Sequence, residues 1–128
     1  MRIEVRCIEH LSSEQRQSLN LLYGPLIGKN SVCLYDFFSS IQSQIELDDI
    51  YLMLNMNVSQ FDKARNHLEQ YHLIETYIHE EEMLIFLYAP LMPNKFLCHD
   101  TYSRLYLVSV GANCFDKIKM MLHKNVDV

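Results

Sequence analysis

The stretch DDIYLMLNMNVSQFDKARNHLEQYHLIETYIHEEEMLIFLY, Asp48 to Tyr88, decides the fold. Asp48 or Asp49 can start a short helix through Ile50, Leu52, Met53 and Leu54, and Asn55-Met-Asn57-Val reads as a turn. Ser59 has the chemistry to cap a second helix, Gln60 to about Tyr71, since its hydroxyl can accept from an amide that the first turn leaves unpaired. Phe61, Ala64, Leu68 and Tyr71 then share one apolar face. Beyond that helix Ile74, Thr76 and Ile78 alternate with Glu75, Tyr77 and His79. After Glu80-Glu81-Glu82 the alternation resumes through Met83, Ile85 and Leu87. This is the period of two strands joined by a tight acidic tip. Two helices across a short turn, followed at once by a hairpin, predict a winged helix.

Outward from this centre the elements are helical. Ile3, Val5 and Cys7 alternate with Arg2, Glu4 and Arg6 as a short strand. Ser12 and Gln15 have the spacing of a capping box, opening a helix to about Tyr23 that Gly24-Pro25 should stop. A second helix, Asn30 to Gln44, carries Leu34, Phe37, Phe38 and Ile41 as its core stripe. After the breakers Pro90 and Pro93, helices are expected over Thr101–Val110, capped by Asp100, and from Asn113 or Phe115 to His123. The fold class is therefore mainly α with a small β component (α+β). Residues 1–128 form a single domain, with the wing at about 74–88 and a C-terminal helical extension at about 94–123.

Composition narrows the function classes. Nearly half of the 128 residues are hydrophobic, with three glycines and three prolines, as in a folded domain with its own core. The net charge of −5 runs against a surface built to grip phosphates. Met1-Arg-Ile-Glu-Val-Arg is no secretory signal, and no apolar run reaches the ~18 residues of a membrane span. Cys7, Cys33, Cys98 and Cys114 stand far apart among apolar neighbours, which favours buried free thiols in a cytoplasmic protein.

Catalysis finds no anchor. Gly24-Pro-Leu-Ile-Gly28-Lys29-Asn30 suggests a phosphate loop, but its glycines are one residue too close. Asn30 also replaces the magnesium-binding hydroxyl, and the preceding segment is helical. It reads instead as a corner between helices, with Tyr23, Gly24, Pro25 and Gly28 as structural residues. No histidine or cysteine spacing suits zinc, and no nucleophile motif occurs. No cofactor, metal site or small-molecule substrate is expected.

DNA binding is weighed on charge. The second helix of the pair exposes Lys63 and Arg65 beside Asp62 and Glu69, and the wing tip carries three carboxylates that phosphates would repel. Lys63 and Arg65 are the DNA contacts available to a winged-helix transcriptional regulator, the alternative reading. Leu105-Tyr106-Leu107-Val108 with Tyr102 is apolar on more than one helix face, the mark of a central helix or of an interface. Tyr102, Tyr106 and Tyr35 are the candidate protein-interaction residues.

These motifs also carry a resemblance. LLYGPLIGKNSVCLYDFF, with Leu22, Tyr23, Pro25, Leu26, Ile27, Gly28, Leu34 and Tyr35, resembles a motif near the start of the DnaB/DnaD-type replication initiation proteins of low-GC Gram-positive bacteria. LNMNVSQFDKARNHLEQYHLIETYIHEEEMLIFLYAPLMPNKFLCHD is similar to the helix, wing and Pro-x-x-F segment that follow in that family. The likeness runs from about Leu11 to Leu122 and is nearer to the DnaB-like helicase-loading and membrane-attachment branch. It implies a non-enzymatic N-terminal module of a longer protein, one that self-associates and helps to assemble the primosome. Its implied partners are other copies of itself, other replication initiation proteins and, through them, the replicative helicase. The likeness further implies that DNA is met mainly by a domain absent from these residues. The implied location is cytoplasmic, with membrane association through the full-length protein.

Overall fold

Two capping boxes set helix starts in this chain, and both are local chemistry. Ser12 Oγ accepts from the Gln15 amide while the Gln15 side chain accepts from the Ser12 amide at 2.8 Å. Asn57 and Gln60 repeat the arrangement, with Asn57 Oδ1 accepting from the Gln60 amide at 2.8 Å. The computed structural model describes residues 1–41 and 44–126, the last four by backbone alone. In chain order its elements are β1 (Arg2–Cys7), α1 (Ser13–Ser18), a π-helical stretch (Leu19–Tyr23), α2 (Gly24–Ile27), α3 (Lys29–Ser40), β2 (Gln44–Glu46) and α4 (Leu47–Leu54). There follow α5 (Val58–Gln70), β3 (Ile74–His79), β4 (Glu82–Leu87), α6 (Pro93–Cys98), α7 (Asp100–Val110) and α8 (Ala112–Val126). The helix-turn-helix is α4–α5 and the wing is β3–β4, which gives the expected α+β winged helix.

The chain divides into two units. The first comprises Met1–His10 and Ile27–Ala89. Among the described residues its sheet has the order β2-β1-β4-β3, with β1 parallel to β4 and antiparallel to β2. Ile3 stands opposite Met83 and Val5 opposite Ile85, so the alternation read from both segments puts four apolar side chains in the buried layer. The wing is thus extended by β1, and by β2, a strand that sequence reading misses because three residues carry too little alternation. Helices α3 and α5 pack together. The small Ser31 is buried there and donates to the Ala64 carbonyl at 3.2 Å.

The second unit comprises Leu11–Leu26 and Pro90–Val128. Its buried residues include Leu19, Leu22, Tyr23, Phe96, Tyr106 and Leu122. The turn of chain expected to end at Gly24-Pro25 does not end there. Gly24 is right-handed helical (φ −49°, ψ −52°) and the helix continues to Ile27. The π-helical stretch just before it widens the hydrogen-bond ladder, so Pro25 enters where its missing amide is tolerated. Gly28 is the actual breaker, at φ 87° and ψ 165°, a region that glycine alone adopts freely.

A Cβ at Gly28 would meet no atom within 4 Å, so its replacement is opposed by backbone strain rather than by crowding. Gly28→Ala is expected to cost about 1–3 kcal/mol, read as a lower urea midpoint with an unchanged slope. An unchanged midpoint would show that the corner does not depend on this conformation.

Helix ends differ from expectation in four further places. Asn57, not Ser59, caps α5, and His99, not Asp100, caps α7 through its Nδ1, which accepts from the Tyr102 amide at 3.1 Å. The third helix of the chain ends at Ser40 instead of near Gln44, and residues 42 and 43 lie outside those described. Pro93, read as a breaker, is the first residue of α6, where a proline loses nothing by lacking an amide. No helix among the described residues is long and apolar enough to cross a membrane.

Candidate interaction surfaces

In the first unit the residues that a DNA reader would use are largely occupied or opposed. Arg65 pairs with Glu69 one turn along α5 at 2.7 Å. Arg2 donates to Glu82 at 3.2 Å and to Gln44 at 3.0 Å, while Arg6 lies 3.4 Å from Glu4. At the wing tip Glu80 takes a left-handed backbone (φ 56°) between β3 and β4, and Glu80, Glu81 and Glu82 are all exposed. Lys63 and Lys29 do come together. They line one cavity of about 370 Å³ with Gly28, Gln60 and His67, whose Nδ1 lies 3.1 Å from the Ile27 carbonyl oxygen.

Tyr35, expected at an interface, is fully buried in α3, and its hydroxyl donates to the Tyr88 carbonyl at 2.6 Å. That hydrogen bond ties α3 to the chain just after the wing. Its ring therefore serves packing and is not presented to a partner.

The second unit is organised around aromatic rings. Phe96 is wholly buried, with the rings of Tyr23, Tyr102 and Tyr106 at centroid distances of 4.9, 5.6 and 6.0 Å. Two of these contacts are edge-to-face, the arrangement that the ring quadrupole favours. Tyr23 is anchored further because its hydroxyl accepts from the Leu91 amide at 3.1 Å. Tyr106 is buried, which corrects the interface role expected of it, and Phe115 from α8 lies 6.1 Å away. Tyr102 is half-buried and stacks on His99 at 4.0 Å, within 19° of parallel.

With its tyrosines turned inward, α7 presents other apolar groups. Val108 is 84% exposed, Leu105 41%, and Leu107 is exposed as well. Leu105 and Val108 are three residues apart and so neighbour each other on the helix surface. A groove of about 380 Å³ in the same unit is lined by Pro93, Leu97, Cys98, Lys119, Met120 and Leu122. Leu105, Leu107 and Val108 together make an exposed apolar surface on α7. Sequence reading found the segment and missed the residues, because an apolar run on a helix does not say which side faces in.

The four cysteines are free and all exposed, contrary to the burial expected of them. Their apolar neighbours in sequence misled, since consecutive residues of a helix do not share a face. Cys33 illustrates this directly, being exposed beside the fully buried Leu34. Among the described residues no group of three or more His, Cys, Asp or Glu could hold a metal.

Burial pushes the Tyr23 phenol up to about 12, with the Leu91 amide opposing the rise and Tyr102 adding to it. Tyr106 is also raised to about 12, by burial first and then by Cys114. Unfolded tyrosine titrates near 10, so the fold favours the neutral rings. The resulting stability is fully present below about pH 10 and is lost as pH rises through about 10 to 12. Urea midpoints measured at about pH 9 and about pH 11 should differ, and Tyr23→Phe should reduce the difference. Equal midpoints for the unaltered protein would contradict this account.

The sequence matches the family described as DnaB N-terminal winged helix domain over residues 5–127. Among solved structures it is similar to residues 1–300 of the primosome protein DnaB from Geobacillus stearothermophilus, with a TM-score of 0.88 and 24% identity. The match covers 94% of this chain and 50% of that one, so this chain spans about half the length of its solved relative. At that identity the likeness carries the fold. None of the curated proteins matches the sequence.

Proposed function

This chain belongs to the DnaB N-terminal winged helix domain family, and from that premise we propose that it is a non-enzymatic self-association and protein-interaction module of a replication-initiation protein. The observation that carries the reading is the apolar surface of α7, where Leu105 and Val108 stand in water while Tyr106 fills the interior. Such a surface gains about 25 cal/mol for each Å² that a partner covers. Other copies of the chain cover it first. The assembled module then engages other initiation proteins and, through them, the replicative helicase. The 128 residues act as the N-terminal part of a longer protein, and duplex DNA is met mainly by a region outside them.

The acidic wing and the paired Arg65 support this reading over a DNA-binding transcriptional regulator. The regulator has the Lys29–Lys63 cavity in its favour. A fluorescence-anisotropy titration with duplex DNA separates the two. A protein-interaction module gives weak binding, whereas a reader gives tight binding that falls steeply with salt. Co-purification of the module with primosome components tests the replication role, and failure to retain any of them would contradict it.

A further inference from the structure

The outer face of the helix-turn-helix is neither a phosphate-binding surface nor an ordinary solvated one. On α4 the exposed residues are Asp48, Asp49, Leu52 and Met53, with Ile50 fully buried behind them. Asp48 with Leu52 and Asp49 with Met53 are four residues apart, and Asp49 with Leu52 three, so neighbouring pairs link the four into one continuous stretch of helix surface. Leu52 is 79% exposed and Met53 65%. Across the turn, Val58 opens α5 and is 56% exposed, and Asp62 follows one turn later, also exposed. Apolar side chains therefore border the turn on both helices; the α4 carboxylates stand at that helix's start, and on α5 Asp62 stands one turn beyond Val58, next to the exposed Lys63. Across the turn the Tyr51 ring meets Phe61 of α5 edge-on at 5.6 Å, and burial raises its phenol, with Asp62 and Asp48 adding to the rise. From Glu46 to Asp62 the chain contains no Lys or Arg.

Charge selects what can cover this face. Phosphate backbones and anionic lipid surfaces are repelled by it. A two-fold contact between copies would lay the face against itself, carboxylates meeting carboxylates, and like-charge juxtaposition is strongly unfavourable. The complementary object has an apolar stripe flanked by cations, the form in which an amphipathic helix docks on a partner.

We propose that the α4–α5 face, Leu52, Met53 and Val58 within Asp48, Asp49 and Asp62, is a docking site for a Lys/Arg-flanked amphipathic helix of another protein. This rests on reading the chain as an interaction module, but uses residues other than the α7 residues assigned to self-association. Leu52 and Met53 supply the apolar contact. Asp48 and Asp49 set the partner's charge and orientation.

The test uses a fluorescent helical peptide of about 18 residues with leucine on one face and lysine flanking it. One control carries glutamate for lysine, and another has the same composition scrambled. The leucine–lysine peptide should bind in anisotropy titrations, and both controls should bind much more weakly. The Leu52→Ser/Met53→Ser variant should weaken binding at least about tenfold, as loss of a central apolar anchor does. Asp48→Asn/Asp49→Asn should weaken it severalfold and flatten its salt dependence, while Leu105→Ser/Val108→Ser should leave it unchanged. Circular dichroism establishes that each variant is folded. Equal binding of the control peptides, or unchanged binding by Leu52→Ser/Met53→Ser, would overturn the proposal. So would loss of self-association in that variant, which would make a second copy the occupant. Self-association is judged separately through Leu105 and Val108, so either reading can fail without the other.

Discussion

Replacing Leu105 and Val108 together by serine is expected to abolish the proposed self-association and give monomers with the fold intact. Both side chains are exposed on α7, and Val108 gives almost nothing to the interior. Substitutions at such positions usually change stability by no more than about 0.5 kcal/mol. Their effect on association should be much larger, since both remove exposed apolar area that a partner would cover. A rise in the dissociation constant of at least about a hundredfold, or about 2.8 kcal/mol, is predicted. Sedimentation velocity over a concentration series reads it directly. An unchanged distribution of species would move the contact elsewhere on the molecule.

The largest effect on stability is expected from Phe96→Ala. Phe96 is wholly buried, and its ring is met by Tyr23, Tyr102 and Tyr106. Truncation removes the ring's transfer free energy and leaves a hole lined by three bulky tyrosines that cannot easily collapse. Such changes cost about 3–5 kcal/mol. That is a large share of the ~5–15 kcal/mol by which a domain is stable. Thermal and urea unfolding should both register the loss. A cost below about 1 kcal/mol would mean that the aromatic cluster does not hold the second unit together.

The sequence was most legible where the physics is local. Ser12 with Gln15 is a complete capping box in four residues, and the period of two on either side of Glu80-Glu81-Glu82 marks both strands of the wing. Errors arose where two local signals compete. Asn57-x-x-Gln60 has the same capping chemistry as the Ser59 start, two residues away, and only the backbone shows which is used. Pro25 signals a stop unless the preceding turn is π-helical, and Gly28, three residues on, takes that role. The pairing of β1 with β4 joins segments about eighty residues apart, as Arg2 opposite Glu82 shows, and no periodicity in either strand encodes that partner.

The candidate surface was legible only in outline. Leu105 to Val108 is visibly too apolar for a one-sided helix. Yet tyrosine, half polar and half apolar, looks suited to an interface and equally fills a core when its hydroxyl finds a partner. Tyr35 and Tyr23 both do so, with the Tyr88 carbonyl and the Leu91 amide. Arg65 likewise looks available in sequence and is paired with Glu69 in the fold, whereas Lys63 and Lys29 meet only because α3 packs on α5.

Multi-angle light scattering of the unaltered protein, at concentrations from below one to tens of micromolar, tests the account most directly. It predicts a mass that rises with concentration to a multiple of the 15.2 kDa chain. A mass fixed at that of the single chain throughout the series would contradict it.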